Sequence, residues 1–254
     1  MTAMVAMAAG LLLAAGVVSA PAAQAVADGS DVPNGKYTFS AALSFPLITR
    51  ADGSTYSSAC SGALISPNWI ITAGHCLHDG NRNRITGPPH YEVQVTVGRA
   101  TLSGPGGQSR QGVEVRQSTT EDVALVRLDR PVFGIAPLRI SPVPPRAGEV
   151  LRLTGWGSID AEADLSHRPD RLQTGLVKVS SFNDTNVFVH GLAPKPTTSA
   201  CPYDSGAPYF RTVGNVSFLV GTEEDGPDCP HADDETTARI DTIAGWIISQ
   251  VTGH

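Results

Sequence analysis

The chain has 254 residues and a formal net charge of −6, and its Lys and Arg side chains form no basic stripe. Nucleic-acid-binding surfaces need such clustered positive charge, so we expect no nucleic acid among its partners. Beyond the N-terminal segment, no apolar stretch reaches the ~20 residues of a membrane span, so we also expect no membrane association once that segment is removed.

The first 25 residues have the features of a secretory signal peptide. Residues 1–23 carry no charge, and an apolar run extends from Met4 to Val18. Ala23-Gln24-Ala25 then provides the small-x-small pattern at which signal peptidase cuts. We therefore predict a secreted protein that begins at Val26 and keeps 229 of the 254 residues. The alternative for this segment is a buried apolar helix.

Four cysteines in an exported chain predict two disulfide bonds. The sequence alone allows three pairings. Cys60 and Cys76 flank an apolar stretch, and Cys201 and Cys229 fall together near the C-terminus, which favours pairing within each of these sets.

Zinc binding is the alternative use of these cysteines, because His78 follows Cys76 by two residues and His231 follows Cys229 by two. No C-x2-C knuckle accompanies either pair, and export favours oxidation. We therefore expect neither a metal nor another cofactor.

After Val26 the chain alternates short β-like runs with turn residues, which is typical of an all-β sandwich or barrel. The better strand candidates are Tyr37–Phe45, Ala63–Thr72, Tyr91–Val97, Val113–Gln117, Val123–Leu128, Val150–Thr154, Leu172–Val179 and Val216–Val220. Ser66-Pro67-Asn68 interrupts the second candidate as a hairpin turn. Ser103–Gly112 contains several glycines and a proline, and is predicted to be a loop.

Five prolines between residues 131 and 145 exclude a central strand there. We place a connection between two lobes at this point, and predict an N-terminal lobe over 26–135 and a C-terminal lobe over 136–254. Near the C-terminus, apolar residues recur at helical spacing, which predicts an amphipathic helix over Ala238–Gln250.

Three short segments hold the residue types of a hydrolytic site. These are Thr72-Ala73-Gly74-His75-Cys76, Asp122-Val123-Ala124-Leu125-Val126-Arg127-Leu128 and Cys201-Pro202-Tyr203-Asp204-Ser205-Gly206-Ala207-Pro208. A serine hydroxyl is a weak nucleophile until a histidine takes its proton, and a carboxylate orients that histidine. His75, Asp122 and Ser205 supply these groups. Activity should then fall as His75 protonates, near or below pH ~6.5–7.

The three segments resemble the signatures of the trypsin/chymotrypsin-like serine peptidase family, as do Thr154-Gly155-Trp156-Gly157 and the terminal helix. The resemblance extends over nearly all of Val26–Gln250. It implies two six-stranded antiparallel β-barrels with the catalytic triad in the cleft between them, and a serine endopeptidase that acts on peptide or protein substrates, expected as a monomer. It also implies the disulfides Cys60–Cys76 and Cys201–Cys229.

The resemblance gives the N-terminus a role. In the family, a freed apolar N-terminus buries its ammonium group against the aspartate that precedes the serine. Here this pair is Val26 and Asp204, so signal-peptide cleavage itself would expose the activating amine. Asp28 stands where the family usually has glycine.

Two further features depart from the family pattern. Tyr203 replaces a glycine whose backbone N–H, with that of Ser205, forms the oxyanion hole, so reduced or substrate-selective activity is expected. In the specificity pocket, Ser199 is expected at the floor and Gly226 at an open mouth, which suits apolar or aromatic side chains.

Two acidic residues complicate this assignment. Glu224 is expected near Asp122, where one of the two carboxyl pKa values would rise. Glu235 could reach the back of the pocket and favour Arg or Lys, or belong to a solvated acidic loop. The alternative function for the whole chain is a binding protein with the peptidase fold and weak or no hydrolysis.

Overall fold

The computed structural model describes residues 26–253, so the predicted signal peptide, residues 1–25, lies outside the described residues. The described chain is mostly β-structure, with three short 3-10 turns and one C-terminal helix, α1, over Ala244–Thr252. The strands are β1 Ser30–Asp31, β2 Ser40–Thr49, β3 Thr55–Ser66, β4 Trp69–Ala73, β5 Gln94–Val97, β6 Gln108–Gln117, β7 Val123–Leu128, β8 Arg139–Ile140, β9 Val150–Gly155, β10 Gln173–Phe182, β11 Asn186–Ala193, β12 Pro208–Val213, β13 Val216–Asp225 and β14 Glu235–Arg239.

Strands β2 to β7 close into the first barrel, in the order β2-β3-β4-β7-β6-β5, with every neighbouring pair antiparallel. Its interior is filled by apolar side chains that are fully buried, among them Leu43, Leu64, Ile71, Val95 and Leu125. Burial of this apolar surface is the main stabilising contribution to the barrel.

Strands β9 to β14 form the second barrel. Two short strands lie outside its ring, with β1 paired to β10 and β8 paired to β13. The order is β10-β11-β14-β13-β12-β9, and the β9–β10 pairing closes the ring. All six ring pairings are antiparallel, whereas β8 lies parallel to β13. Leu153, Val177, Val189 and Tyr209 are buried in its core.

Each end of the chain packs against the barrel that the other half of the chain forms. Strand β1, near the N-terminus, pairs with β10 of the second barrel. Ile243 and Ile247, before and within α1, belong to the buried cluster that contains the first barrel's core. The predicted boundary at 135/136 falls between the last strand of the first barrel and the first of the second, while both termini contact the opposite barrel.

The predicted fold class, two six-stranded antiparallel barrels with a C-terminal helix, is confirmed. The helix is shorter than predicted, because residues 238 and 239 complete β14 and a 3-10 turn over Asp241–Ile243 precedes α1. Ile248, one of the apolar residues at helical spacing, is 54% exposed and does not belong to the buried face. The predicted loop over Ser103–Gly112 is partly strand, since β6 begins at Gln108.

Both disulfides implied by the resemblance are present. Cys60 on β3 is bonded to Cys76 in the turn after β4, and Cys201 is bonded to Cys229. In residues 26–253 no helix is long and apolar enough to span a bilayer.

Candidate active site

His75 and Asp122 are brought together by the pairing of two strands in the first barrel. His75 lies in the 3-10 turn Gly74–Cys76 after β4, and Asp122 directly precedes β7. These strands pair antiparallel with Ala73 opposite Val123, so both side chains leave the same end of the sheet. Nδ1 of His75 lies 2.5 Å from Asp122 Oδ2, and the His75 backbone N–H donates to Oδ1 at 2.9 Å.

Asp122 is a buried carboxylate in an electrostatically favourable setting. Burial alone would raise its pKa, but hydrogen bonds from His75 and the positive charges of His75 and Arg84 hold the pKa below its ordinary value. An ionised Asp122 fixes the His75 tautomer with its proton on Nδ1 and leaves Nε2 as a proton acceptor. The His75 side chain is 46% exposed, so its ring is not sealed from solvent.

Ser205 belongs to the second barrel, in the loop before β12, and contacts the first barrel across the cleft. Its carbonyl accepts a hydrogen bond from the Ser61 backbone N–H on β3 at 2.9 Å and lies 3.8 Å from Cys76 Sγ. Ser205 therefore lies next to the turn that carries His75. Among the described residues, no hydrogen bond joins Ser205 Oγ to His75 Nε2, a contact that often tightens only when substrate binds.

Tyr203 adopts the backbone conformation that glycine favours, with φ at 75°. Two contacts hold it there. Its hydroxyl donates to the Ala163 carbonyl at 2.6 Å, and the Arg168 guanidinium lies 5.6 Å from its ring centroid. Within residues 26–253, the backbone N–H groups of Tyr203 and Ser205 donate to no protein acceptor, so both are available to an oxyanion.

The Asp204 carboxylate is fully buried and accepts from two backbone N–H groups, those of Gly157 at 2.8 Å and Cys201 at 3.1 Å. Among the described residues, no cationic side chain lies within ion-pair distance of it. Burial raises the pKa of Asp204 to about 7, and these two N–H groups only partly oppose the rise. The site would therefore stabilise an added positive charge.

The segment at the predicted mature N-terminus is inserted into the second barrel. Val26 is fully buried in that barrel's core, and the Ala27 carbonyl accepts from the Ser199 backbone N–H at 3.2 Å. Asp28 has φ at 54°, which explains the family's glycine at this position. Here Asp28 is held by Lys195, whose Nζ lies 2.6 Å from Oδ1, and by the Thr197 hydroxyl at 2.5 Å.

A cavity of about 170 Å³ opens beside Ser205, lined by Ala200, the Cys201–Cys229 region, and residues 223–228 with Gly226 among them. Ser199, expected at the floor, is buried outside this lining, where its Oγ accepts from the His231 backbone N–H at 3.3 Å. Glu223 lines the cavity. A carboxyl group, rather than a neutral floor, thus contributes to the pocket.

Glu223 belongs to a buried cluster of acids. The Tyr209 hydroxyl lies 2.6 Å from Glu223 Oε2 and also contacts the Glu235 carboxylate, which accepts from the Ala200 backbone N–H. Burial and the charge of Glu235 raise the pKa of Glu223 well above its usual range. One phenol proton cannot serve two carboxylates, so one of them must carry a proton for both contacts to be hydrogen bonds.

His231 borders this cluster, with Nε2 3.4 Å from Glu235 Oε1. This distance suits an ion pair, although the hydrogen-bond geometry is poor. The contact with Glu235 raises the pKa of His231. Glu235 is therefore a buried residue behind the pocket and not part of a solvated loop.

Glu224 lies near Asp122, as expected from the sequence. Burial, followed by the charge of Asp122, raises the pKa of Glu224. Its Oε2 accepts from the Asn186 side chain at 2.7 Å. Glu223 and Glu224 are consecutive on β13, and neighbouring strand residues face opposite sides. This alternation was the signal that could have placed Glu223 in the barrel interior.

Comparisons with known proteins agree with this geometry. The trypsin family model matches residues 28–247. The chain is 27% identical over 214 residues to the thrombin-like enzyme elegaxobin-1 of Protobothrops elegans, covering 77% of this chain and 87% of that protein. It is 27% identical over 231 residues to the thrombin-like enzyme ancrod-2 of Calloselasma rhodostoma, covering 82% and 83%.

A third relative, transmembrane protease serine 11C of Mus musculus, is 26% identical over 250 residues, covering 89% of this chain and 53% of that protein. The family match spans both barrels and every residue of the cleft described above. With its two closed barrels, its paired His75 and Asp122 and a trypsin family match over most of its length, the chain belongs to the trypsin family and is a serine endopeptidase.

Proposed function

We propose that Ser205 is the nucleophile of this endopeptidase, His75 its general base and Asp122 the group that orients the base. The observation that carries this assignment is the contact between His75 Nδ1 and the buried Asp122 carboxylate, at 2.5 Å, in a turn whose Cys76 lies next to Ser205. Ser205 Oγ attacks the peptide carbonyl while Nε2 of His75 takes its proton. The N–H groups of Tyr203 and Ser205 stabilise the oxyanion.

His75 then returns the proton to the leaving amine, and an acyl-enzyme remains on Ser205. Water, deprotonated by the same nitrogen, hydrolyses the ester and restores the free serine. The exposed His75 side chain and the availability of the Tyr203 and Ser205 N–H groups favour hydrolysis over the alternative of an inactive binding protein.

A fluorophosphonate probe tests this assignment, because it reacts with activated serines. The mature protein should be labelled, while Ser205→Ala and His75→Ala should lose labelling. Equal labelling of the wild type and the Ser205→Ala variant would refute the role of Ser205. Failure to label the correctly processed protein would favour the binding protein.

We propose that export activates the enzyme. The predicted cleavage after Ala25 frees the Val26 ammonium group, which then neutralises Asp204 and orders the Tyr203–Ser205 backbone. The buried position of Val26 and the uncompensated Asp204 carboxylate support this pairing. The signal-peptide features of residues 1–25 support secretion. Sequencing of the N-terminus of the active secreted protein checks the cleavage site.

The pocket is proposed to accept a lysine or arginine side chain of the substrate. Gly226 and Glu223 line this pocket, and a cationic side chain bound there would favour the ionised form of the Glu223 carboxyl, whose pKa is raised in the empty pocket. An apolar side chain would bury this acid without compensation. Matched peptides that differ only in Arg, Gln or Phe before the cleaved bond measure this preference. We expect Glu223→Gln to lower kcat/KM for the arginine peptide at least about tenfold and to leave the phenylalanine peptide unchanged.

A further inference from the structure

Arg84 contacts the same carboxylate that orients His75. Its Nη2 donates to Asp122 Oδ1, and its Nη1 donates to the Glu121 carbonyl at 3.3 Å. Asp122 therefore accepts from three donors, two on His75 and one on Arg84. The Arg84 side chain is 39% exposed, whereas the Asp122 side chain is 5% exposed. Arg84 thus covers the solvent side of a buried carboxylate.

The loop that follows His75 fixes the position of Arg84. The Ile85 backbone N–H donates to the Leu77 carbonyl at 3.0 Å, and the Asp79 N–H donates to the Asn83 carbonyl at 2.8 Å. These bonds close a short loop around residues 79–83 and return the chain to the active site at Arg84.

Gly74 leaves the space that the guanidinium occupies. A Cβ added to Gly74 would lie 2.9 Å from Arg84 Cζ and 2.8 Å from Asp122 Oδ1, closer than side chains normally approach. The guanidinium, the carboxylate and the backbone of the histidine turn are therefore packed together next to the base.

A second carboxylate, that of Glu224, explains why a cation is favourable at this position. Glu224 is half-buried near Asp122, and two neighbouring carboxylates repel each other. The charge of Arg84 acts on both, since it favours the ionised forms of Asp122 and of Glu224. Glu224 on β13 lines the cavity beside Ser205, and the charges that act on it are those of Asp122 before β7, His75 and Arg84 in the loop.

We propose that Arg84 is a positioning residue of this active site, which holds Asp122 in place and balances the negative charge that Glu224 adds beside it. The proposal rests on the catalytic roles proposed for His75 and Asp122. Without Arg84, the base would face two carboxylates and no cation, and it would retain its proton to higher pH. Without Glu224, the base would face one carboxylate and one cation, and it would lose its proton at lower pH.

The rate constant for inactivation by a fluorophosphonate, measured from pH 5 to 9, tests the proposal without knowledge of the substrate. Arg84→Gln should move the midpoint of the acidic limb up by about 0.5 to 1 pH unit, and Glu224→Gln should move it down by a similar amount. The double variant should return close to the wild-type midpoint. The plateau rate constant of Arg84→Gln should fall about tenfold, because Asp122 loses one of its donors.

Two controls separate electrostatics from structure. Arg84→Lys keeps the charge, so its midpoint should stay near the wild-type value even if its plateau falls. Arg82→Gln removes a cation of the same loop that faces the Tyr56 ring, so its profile should match the wild type. A merely structural role of Arg84 would lower the plateau in each disruptive variant and would not move the midpoints in opposite directions.

Midpoints that move in the same direction in Arg84→Gln and Glu224→Gln, or do not move in either, overturn the role of Arg84 while the proposed triad stands. A wild-type protein that is not labelled, or is labelled equally in His75→Ala, overturns both the triad and the positioning role.

Discussion

One added residue before Val26 should destabilise the protein in a pH-dependent way. In the extended protein the ammonium group lies beyond the reach of Asp204, so the carboxyl keeps the environment that raises its pKa to about 7. The ordinary value is 3.8, a difference of about 3 units. At about 1.36 kcal/mol for each unit, ionising Asp204 in the extended protein costs about 4 kcal/mol of folding free energy.

The sign follows from proton binding. Between pH about 4 and pH about 7, the folded extended protein holds a proton on Asp204 that the unfolded chain has lost, so its stability falls as pH rises. The loss of folding stability in the extended protein is complete above pH about 7. In the mature protein the Val26 ammonium favours the ionised carboxyl, and no such loss occurs. The two proteins should therefore be similar in stability near pH 4 and differ by about 4 kcal/mol at pH 7.

Urea unfolding of both proteins at several pH values measures this difference. Asp204→Asn is the matched control, because it removes the titrating group from both chains and should make the difference constant with pH. The extended protein should also lose fluorophosphonate labelling, since a buried unpaired charge disorders the oxyanion segment. Parallel stability curves for the two proteins, or a pH dependence that survives Asp204→Asn, would refute the reasoning.

Three further predictions concern the surroundings of the nucleophile. Because Tyr203 has a positive φ, Tyr203→Ala should be less stable than Tyr203→Gly by about 1 kcal/mol in urea unfolding, and equal stabilities would contradict a backbone cost. Tyr209→Phe removes the hydroxyl between Glu223 and Glu235, so we expect a loss of about 1–3 kcal/mol that is larger at pH 8 than at pH 5; a loss independent of pH would count against the shared proton. Gly206 has φ at 81°, and an added Cβ would lie 2.5 Å from neighbouring backbone atoms. Gly206→Ala should therefore abolish labelling, and normal labelling of a folded variant would show that the loop can move.

Much of the fold could be predicted because its signals are local. Strand β7, over Val123–Leu128, has the predicted bounds, since its apolar residues are buried on both faces. The hairpin at Ser66–Asn68 was marked by proline and asparagine. Strands β12 and β14 are not predicted, because polar residues such as Arg211 and Thr236 occupy their partly exposed positions and only pairing with neighbouring strands defines them.

The proposed triad could be located because each member lies in a short motif, whereas the groups that modify it lie in none. Arg84 follows His75 by nine residues in a loop of ordinary composition, and only the folded loop brings its guanidinium to Asp122. Glu223 and Tyr209 meet through the pairing of β12 and β13. Contacts of this kind depend on register across the barrel, which a single sequence leaves undetermined.

Because each end of the chain packs against the opposite barrel, the active-site cleft can assemble only late in biosynthesis. Domains generally fold from the N-terminus as the chain is made. The first barrel cannot complete its buried cluster until Ile243 and Ile247 have been synthesised, long after its own last strand, β7. The N-terminal segment likewise has no partner until β10 exists. A ribosome-bound or truncated chain that lacks these segments would therefore lack the assembled cleft, and the proteolytic hazard would arise only after the second barrel and α1 have been made.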